Sequence, residues 1–417
     1  MKKIFYQLKC CFAVVLFASI LPGCLKDTCT QKYTLYYPVY KTSGEVRSNI
    51  KSNGARDIKI PGKLFVFGNY IFLNEVDKGI HIIDNSNPAA PVNKYFIDIP
   101  GNMDLAVKGN TLYADLYTDM VTLDISNPQQ VVVKKIIDDA FPFRRYSNGF
   151  ISDTAKIIVD WVAKDTMVTV DCGARTWRSG RFDMLAMNSS FSSASAAPAT
   201  QGVGGSMARF TILNNYLYTV TDNVLNSFNI SQPQEPVFSS KVNLTWGIET
   251  IFPFKNNLFI GSTTGMFIYG TSNPAQPNSL GAFTHARTCD PVIAEDNYAF
   301  VTLRSGNTCG GFTNQLDVVN IQNLMSPKLV KSYSLHNPFG LSKDGNVLII
   351  CDGSAGLKVF DATDINSLKL AQTISGIDTY DVITQNGRAI VVAKDGLYQY
   401  SYTMPTNLKL LSKITYQ

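Results

Sequence analysis

Apolar residues in this chain fall into short runs, each closed by turn residues, and the runs repeat. One unit recurs: a turn, an apolar strand ending in Asp or Asn, then often Ser-Asn-Pro. It reads Gly79-Ile-His-Ile-Ile-Asp84-Asn-Ser-Asn-Pro88 and then Asp119-Met-Val-Thr-Leu-Asp124-Ile-Ser-Asn-Pro128. It returns, without the Pro, at Met167-Val-Thr-Val-Asp171, and with it at Val224-Leu-Asn-Ser-Phe-Asn229-Ile-Ser-Gln-Pro233 and Gly265-Met-Phe-Ile-Tyr-Gly270-Thr-Ser-Asn-Pro274. Later copies are Leu316-Asp-Val-Val-Asn320, Gly356-Leu-Lys-Val-Phe-Asp361 and the worn Gly396-Leu-Tyr-Gln-Tyr-Ser401. The markers 84, 124, 171, 229, 270, 320, 361 and 401 are separated by 40, 47, 58, 41, 50, 41 and 40 residues. A base period near 40 is that of a propeller blade of four strands.

The strands can be read inside a unit. In the second they are Asp104–Lys108, Thr111–Tyr117, Met120–Ile125 and Val131–Ile137. The turns Gly68-Asn69, Gly109-Asn110, Asn214-Asn215, Asp296-Asn297 and Asn386-Gly387 supply residues that accept positive φ, as tight hairpins require. No segment keeps a capped 3.6-residue apolar period, so helices are not expected. The pattern predicts an all-β chain, a β-propeller with eight blades. Seven is the alternative, if the unit at Asp171 or at Ser401 serves otherwise. The last unit is complete, so the ring is expected to close by direct contact with the first, with no borrowed strand. The organisation reads as a leader over 1–23, a tether and edge segment over 24–60, and a propeller over 61–417. A Ser/Ala/Gly-rich insertion over about 173–205 is expected to be a surface loop. Residues 33–40 are candidates for pairing with an outer edge.

The leader changes the picture of location. Lys2 and Lys3 precede an apolar run over 11–21, too short to span a bilayer and suited to a secretory signal. Leu21-Pro22-Gly23-Cys24 follows and resembles a bacterial lipobox. The resemblance implies cleavage before Cys24 and acylation of that cysteine, with chains such as palmitate. Two or more acyl chains make a stable anchor. The chain is then expected in the cell envelope, at the outer membrane, with Lys26-Asp27 leaving both faces open. Losing Lys2, Lys3 and Lys9 takes the formal charge from +5 to +2, too little for a nucleic-acid partner.

Cysteine usage agrees with export. Cys289 and Cys309 flank a predicted hairpin (Pro291–Glu295, Tyr298–Arg304) and form the expected disulfide. Cys172 and Cys351 sit in apolar strand contexts and read as buried free thiols. No Cys-x-x-Cys pair occurs, and three His leave little room for a His-based metal site. No metal or cofactor is expected.

The strings Gly79–Pro88, Asn110-Thr-Leu-Tyr-Ala-Asp115 and Gly356–Asp361 resemble LVIVD repeats. The chain from about residue 33 onward resembles the LVIVD-repeat lipoproteins of Bacteroidetes. The resemblance implies a β-propeller at the cell envelope and carries no catalytic motif.

Nucleophile elbow, P-loop and zincin motifs are absent from the sequence, and no catalytic residue is assigned. Asp84-Asn-Ser-Asn and Asp361-Ala-Thr-Asp could offer oxygens to calcium, but the recurrence of the Asp favours an Asx-turn. The connectors leading into each inner strand rim the channel mouth of a propeller. Polar residues there are Asp104, Arg209, Glu249, His285, Arg287, Asp290, His336, Asp378 and Asp381, with Arg144, Arg145 and Trp246 nearby. They could be a solvated rim that satisfies strand ends, or a polar funnel for a small or glycan-like ligand. The first functional expectation is a monomeric, envelope-anchored binding or scaffolding module for a protein or glycan partner. The alternatives are a glycan-cleaving enzyme with paired carboxylates at the mouth, and a purely structural component.

Overall fold

A computed structural model describes residues 28–142, 144, 156–171, 203–285, 291–306 and 313–416. The chain divides into two compact units, one of Met1–Tyr40 with Ile158–Asp183 and one of Lys41–Ile157 with Met184–Gln417.

In the second unit the described residues form seven antiparallel sheets, each built on four strands in chain order, and the first carries one further strand at each edge. Blade 2 is typical, running outward from the channel through Leu105–Lys108, Thr111–Leu116, Asp119–Asp124 and Val132–Ile137. The other blades span 61–98, 210–243, 248–284, 292–334, 341–374 and 379–415. The three inner strands of a blade are covered on both faces by the neighbouring blades, so they are apolar with little alternation; all of Val347–Cys351 is buried. Only the outermost strand alternates, as in Lys409–Thr415. The expected turn residues adopt the left-handed region, with φ of 56° at Gly109 and 57° at Asn214.

The inner strands touch one another in order, and the last returns to the first. Blade 7 meets blade 1 through Ile383, Ile390, Val392 and Leu397 against Leu64, Ile71 and Leu73. Gln399 Nε2 donates to Asn85 Oδ1 at 2.7 Å, and Ser412 Oγ to the Pro88 carbonyl at 2.6 Å. The ring closes without a borrowed strand, as the complete last unit implied.

Eight blades is one too many, and the alternative of seven holds. The marker at Asp171 ends a long strand, Ile157–Asp171, whose partner is Thr28–Lys41 in a separate two-stranded sheet. That segment has strand alternation but lacks the Asn-Pro turn that leads the chain into a fourth strand. Residues 33–40 therefore pair there and not on a blade edge. The edge strand is Lys51–Gly54, antiparallel to Val92–Asp98 of blade 1. Between them lies a five-residue helix, Ser43–Arg47, begun by a Thr42–Glu45 capping box and held through Arg47 to Asp119 and Asp138.

A second correction concerns the insertion. Its last residues are not surface loop: Val203–Gly204 pair antiparallel with Val66 and Phe65, on the channel side of blade 1. Residues 172–202 lie outside the described ones. Segment 203–208 crosses the channel. Gly205 N–H donates to the Leu64 carbonyl at 3.1 Å, Leu341 N–H of blade 6 to Ser206 Oγ at 3.2 Å, and Ile251 N–H of blade 4 to the Ala208 carbonyl at 2.9 Å. Val203, Met207 and Ala208 are buried.

Candidate site at the channel mouth

Adjacent antiparallel strands alternate direction, so all inner strands begin at the same end of the ring. Their first positions, and the residues just before them, carry Lys63, Asp104, Arg209, Glu249 and Asp381. Four of these are buried, at 6%, 3%, 9% and 1% exposure for Lys63, Asp104, Glu249 and Asp381. Charges are rarely buried this far unless paired. Here they converge because seven strand starts meet around one axis.

The channel-crossing segment ties the cluster together. Lys63 Nζ donates to the Met207 carbonyl at 2.9 Å. Asp104 accepts the Arg209 N–H on Oδ2 at 2.5 Å and its own neighbour, the Leu105 N–H, on Oδ1 at 2.7 Å. Asp381 repeats the second bond, accepting the Val382 N–H on Oδ1 at 2.8 Å. Asp381 Oδ2 has no hydrogen-bond partner among the described residues. Arg209 Nε donates to the Glu249 carbonyl at 3.3 Å.

Burial shapes the protonation of the cluster. It pushes the Lys63 ammonium down to about 8, against the pull of Asp104. It raises the Asp381 carboxyl to about 8, against the nearby Lys63 charge. It also raises Asp104, where Lys63 and the two backbone donors oppose it. Arg304, over the Phe339 ring at 4.2 Å, is lowered by burial and supported by Glu249.

A second shell of acids ends the strands beside the inner ones and holds the connectors. Asp115 Oδ1 accepts the Met103 and Asp104 N–H groups at 2.8 and 2.9 Å. Asp352 Oδ1 accepts those of His336 and Asn337 at 2.9 and 2.8 Å. Glu75 accepts those of Lys59 and Ile60 at 3.0 and 2.7 Å and meets His81 Nε2 at 3.1 Å. Burial raises Asp115 to about 6. Burial works the same way on Glu75, but the His81 contact and the two backbone donors outweigh it and hold the carboxyl below its ordinary value.

Of the expected rim residues, Asp104, Arg209, Glu249 and Asp381 gather at the mouth. His285 follows the outer strand Asn278–Thr284, half-buried. His336 is exposed, and only its backbone reaches Asp352. Asp378 is half-buried, and its carbonyl accepts the Lys394 N–H at 2.8 Å. Arg144 pairs with Asp77 and covers the Tyr117 ring at 4.6 Å, while Trp246 is exposed. Cys24, Arg145, Cys172, Arg287, Cys289, Asp290 and Cys309 lie outside the described residues, and with them the disulfide. Cys351 is a buried free thiol, as expected, and burial raises its pKa well above the ordinary value.

Two members of the cluster, Lys63 and Arg304, went unforeseen. Lys63 sits in Pro61-Gly-Lys-Leu-Phe, before the first repeat marker. A charge at the first positions of an inner strand is the signal that would have found it.

The Asp and Asn markers close Asx-turns at the other end of the blades. Asp84, Asp124, Asn229, Asn320 and Asp361 each accept the N–H two residues on, at 2.9–3.0 Å. A groove of about 600 Å³ opens at that end between blades 6 and 7, lined by Asp344, Asp361, Tyr402 and Met404 among others. Among the described residues no group of three His, Cys, Asp or Glu could hold a metal ion. No described helix is long and apolar enough to cross a membrane.

A family model described as LVIVD repeat matches residues 55–98, 101–139 and 287–334, which are the first, second and fifth blades with their connectors. No curated protein matches the sequence. Among solved structures, the chain is similar to a protein from Lactobacillus plantarum, at 13% identity, 86% and 97% coverage of the two chains and a TM-score of 0.53. It is similar to the computationally designed Ika8 protein at 10% identity, 87% and 89% coverage and a TM-score of 0.52. BamB from Moraxella catarrhalis aligns at 6% identity, 89% and 97% coverage and a TM-score of 0.50. At such identities the likeness is one of fold.

Proposed function

We propose that this LVIVD-repeat propeller is an envelope-anchored binding or scaffolding module for a protein or glycan partner, tethered to the outer membrane through acylated Cys24 and working as a monomer. The observation that supports binding over turnover is the channel-crossing segment. Lys63 and Asp104, two buried charges at the mouth, each hold its backbone. Charges engaged in this way position a segment rather than a reacting bond. The Asp381 Oδ2 atom, the exposed His336 side chain and the groove between blades 6 and 7 remain available to a ligand.

Soluble chain from Lys26 should retain a partner from envelope extract or on a glycan array, and substitution of exposed rim residues should release it. Retention that survives every rim and groove substitution would sink this reading. Anchoring is tested separately: labelling with a palmitate analogue should be lost in Cys24→Ala.

One observation favours the glycan-cleaving alternative. Asp381 keeps a free carboxyl oxygen, and burial raises its pKa to about 8, so it holds its proton at neutral pH as a general acid must. Hydrolysis of any arrayed glycan, abolished by Asp381→Asn with binding retained, would select that alternative.

A further inference from the structure

The two-stranded sheet of Thr28–Lys41 and Ile157–Asp171 is an unusual object to leave in water. Two strands alone are marginal, and stability normally comes from covering a face. Lys32 and Thr34 both reach Asp165, at 2.7 and 2.8 Å, so even positions of the first strand share a face with odd positions of the second. Alternation then puts Leu35 and Tyr37 on the other face with Val162 and Val168. These four are exposed by 45%, 49%, 55% and 40%. Tyr36, Tyr40 and Met167 on the first face are exposed by 37%, 37% and 66%. Four of the chain's 20 tyrosines fall within residues 33–40, which makes the sheet aromatic as well as apolar.

We infer that this ribbon is a lipid-surface contact, lying in the headgroup layer of the membrane that holds the chain. The inference rests on the anchoring reading of Cys24. Only Leu25, Lys26 and Asp27 separate that cysteine from Thr28. Extended chain covers at most about 3.3–3.6 Å per residue, so the ribbon starts within roughly 14 Å of the anchored thiol. Tyrosine suits this layer because its ring is apolar and its hydroxyl remains hydrated. Lys41 and Lys164 can extend their ammonium groups towards anionic headgroups while their stems follow the apolar surface. The ribbon would thus add a second, shallow attachment to the acyl chains and fix the orientation of the tether.

The test uses the full mature chain carrying Cys24→Ser, which cannot be acylated, floated with vesicles of phosphatidylethanolamine and phosphatidylglycerol. The unlipidated parent should float. The double variant Tyr37→Ser/Val162→Ser should float about tenfold less, with an unchanged thermal transition because both positions are exposed. A parent that stays at the bottom of the gradient overturns the inference. So does a dimer in buffer that the same pair abolishes without flotation, because the face would then belong to a second copy. Palmitate-analogue labelling of the unmutated chain reads the anchor alone, so its failure is distinguishable from failure of the ribbon.

Discussion

At the loop end of the blades, Asp84, Asp124, Asn229, Asn320 and Asp361 make one and the same bond, to the backbone N–H two residues on. At the channel end, the strand starts carry Lys63, Asp104, Arg209, Glu249 and Asp381, and no two have the same set of partners. The loop end is more exposed and its Asx-turn bonds are local, so each blade forms its own turn, although Asp124 also accepts Gln234 Nε2 of the next blade at 3.1 Å. The channel end is buried and shared, so each residue is set by what the other blades and the channel-crossing segment place beside it. Repetition marks what the architecture needs, and departure from it marks where this chain is individual.

That contrast breaks most visibly at Lys63. Its ammonium is the central cation for Asp104, Asp381 and Glu249 and is buried with them. Lys63→Met keeps the stem and removes the charge, leaving Asp104 and Glu249 buried without the Lys63 cation. The expected loss is about 3–5 kcal/mol, read from chemical denaturation. A loss below about 1 kcal/mol would mean that the mouth is as loosely coupled as the loops.

The same contrast explains what the sequence revealed. The Asx-turn is encoded within three residues, so the markers, the blade period and the Asp84 and Asp361 turns were legible. So were the hairpin turns at Gly109 and Asn214, and the closure between the last and first units. The blade count failed at Asp171 because a strand that pairs in a two-stranded sheet has the same alternation as a blade strand. Asp104, Arg209, Glu249 and Asp381 were found because connectors can be located from the repeat. Lys63 was not, and neither was Val203–Gly204 in the channel, since a Ser/Ala/Gly-rich stretch carries no local signal of long-range pairing. For His336, local sequence could not say that its backbone N–H would reach Asp352 while its side chain stays exposed.

Asp381 offers a titration that sharpens the comparison. Its ordinary value lies near 4, and burial raises it to about 8 in the folded chain. Between those values the folded chain binds the proton more tightly than the unfolded one. The contribution to stability is therefore complete below about pH 4 and is lost as pH rises towards 8. Asp381→Asn cannot titrate, so stability should fall less steeply over that window, by up to about 1.4 kcal/mol per pH unit. Parallel curves for the two proteins would show that the carboxyl is solvated, and the distinction between the two ends would weaken.

The smallest effects belong to the loop end, and their uniformity is the point. Asp124→Ala and Asn229→Ala each remove one exposed Asx hydrogen bond, of 3.0 and 2.9 Å. Each should cost about 0.5–1 kcal/mol at neutral pH. Asp124 also faces Lys134 at 3.3 Å and accepts Gln234 Nε2 at 3.1 Å, which should add a few tenths of a kcal/mol to its cost. The two differ in acid. Ser126 holds the Asp124 carboxyl down to about 2, so its contribution is present above about pH 4 and disappears as pH falls towards 2. Asn229 has no such charge to lose. The cost of Asp124→Ala should therefore shrink in acid while that of Asn229→Ala stays constant. Costs that differ several-fold between these two loops at neutral pH would mean that the blades do not solve their turns independently, and the contrast with the channel mouth would fall.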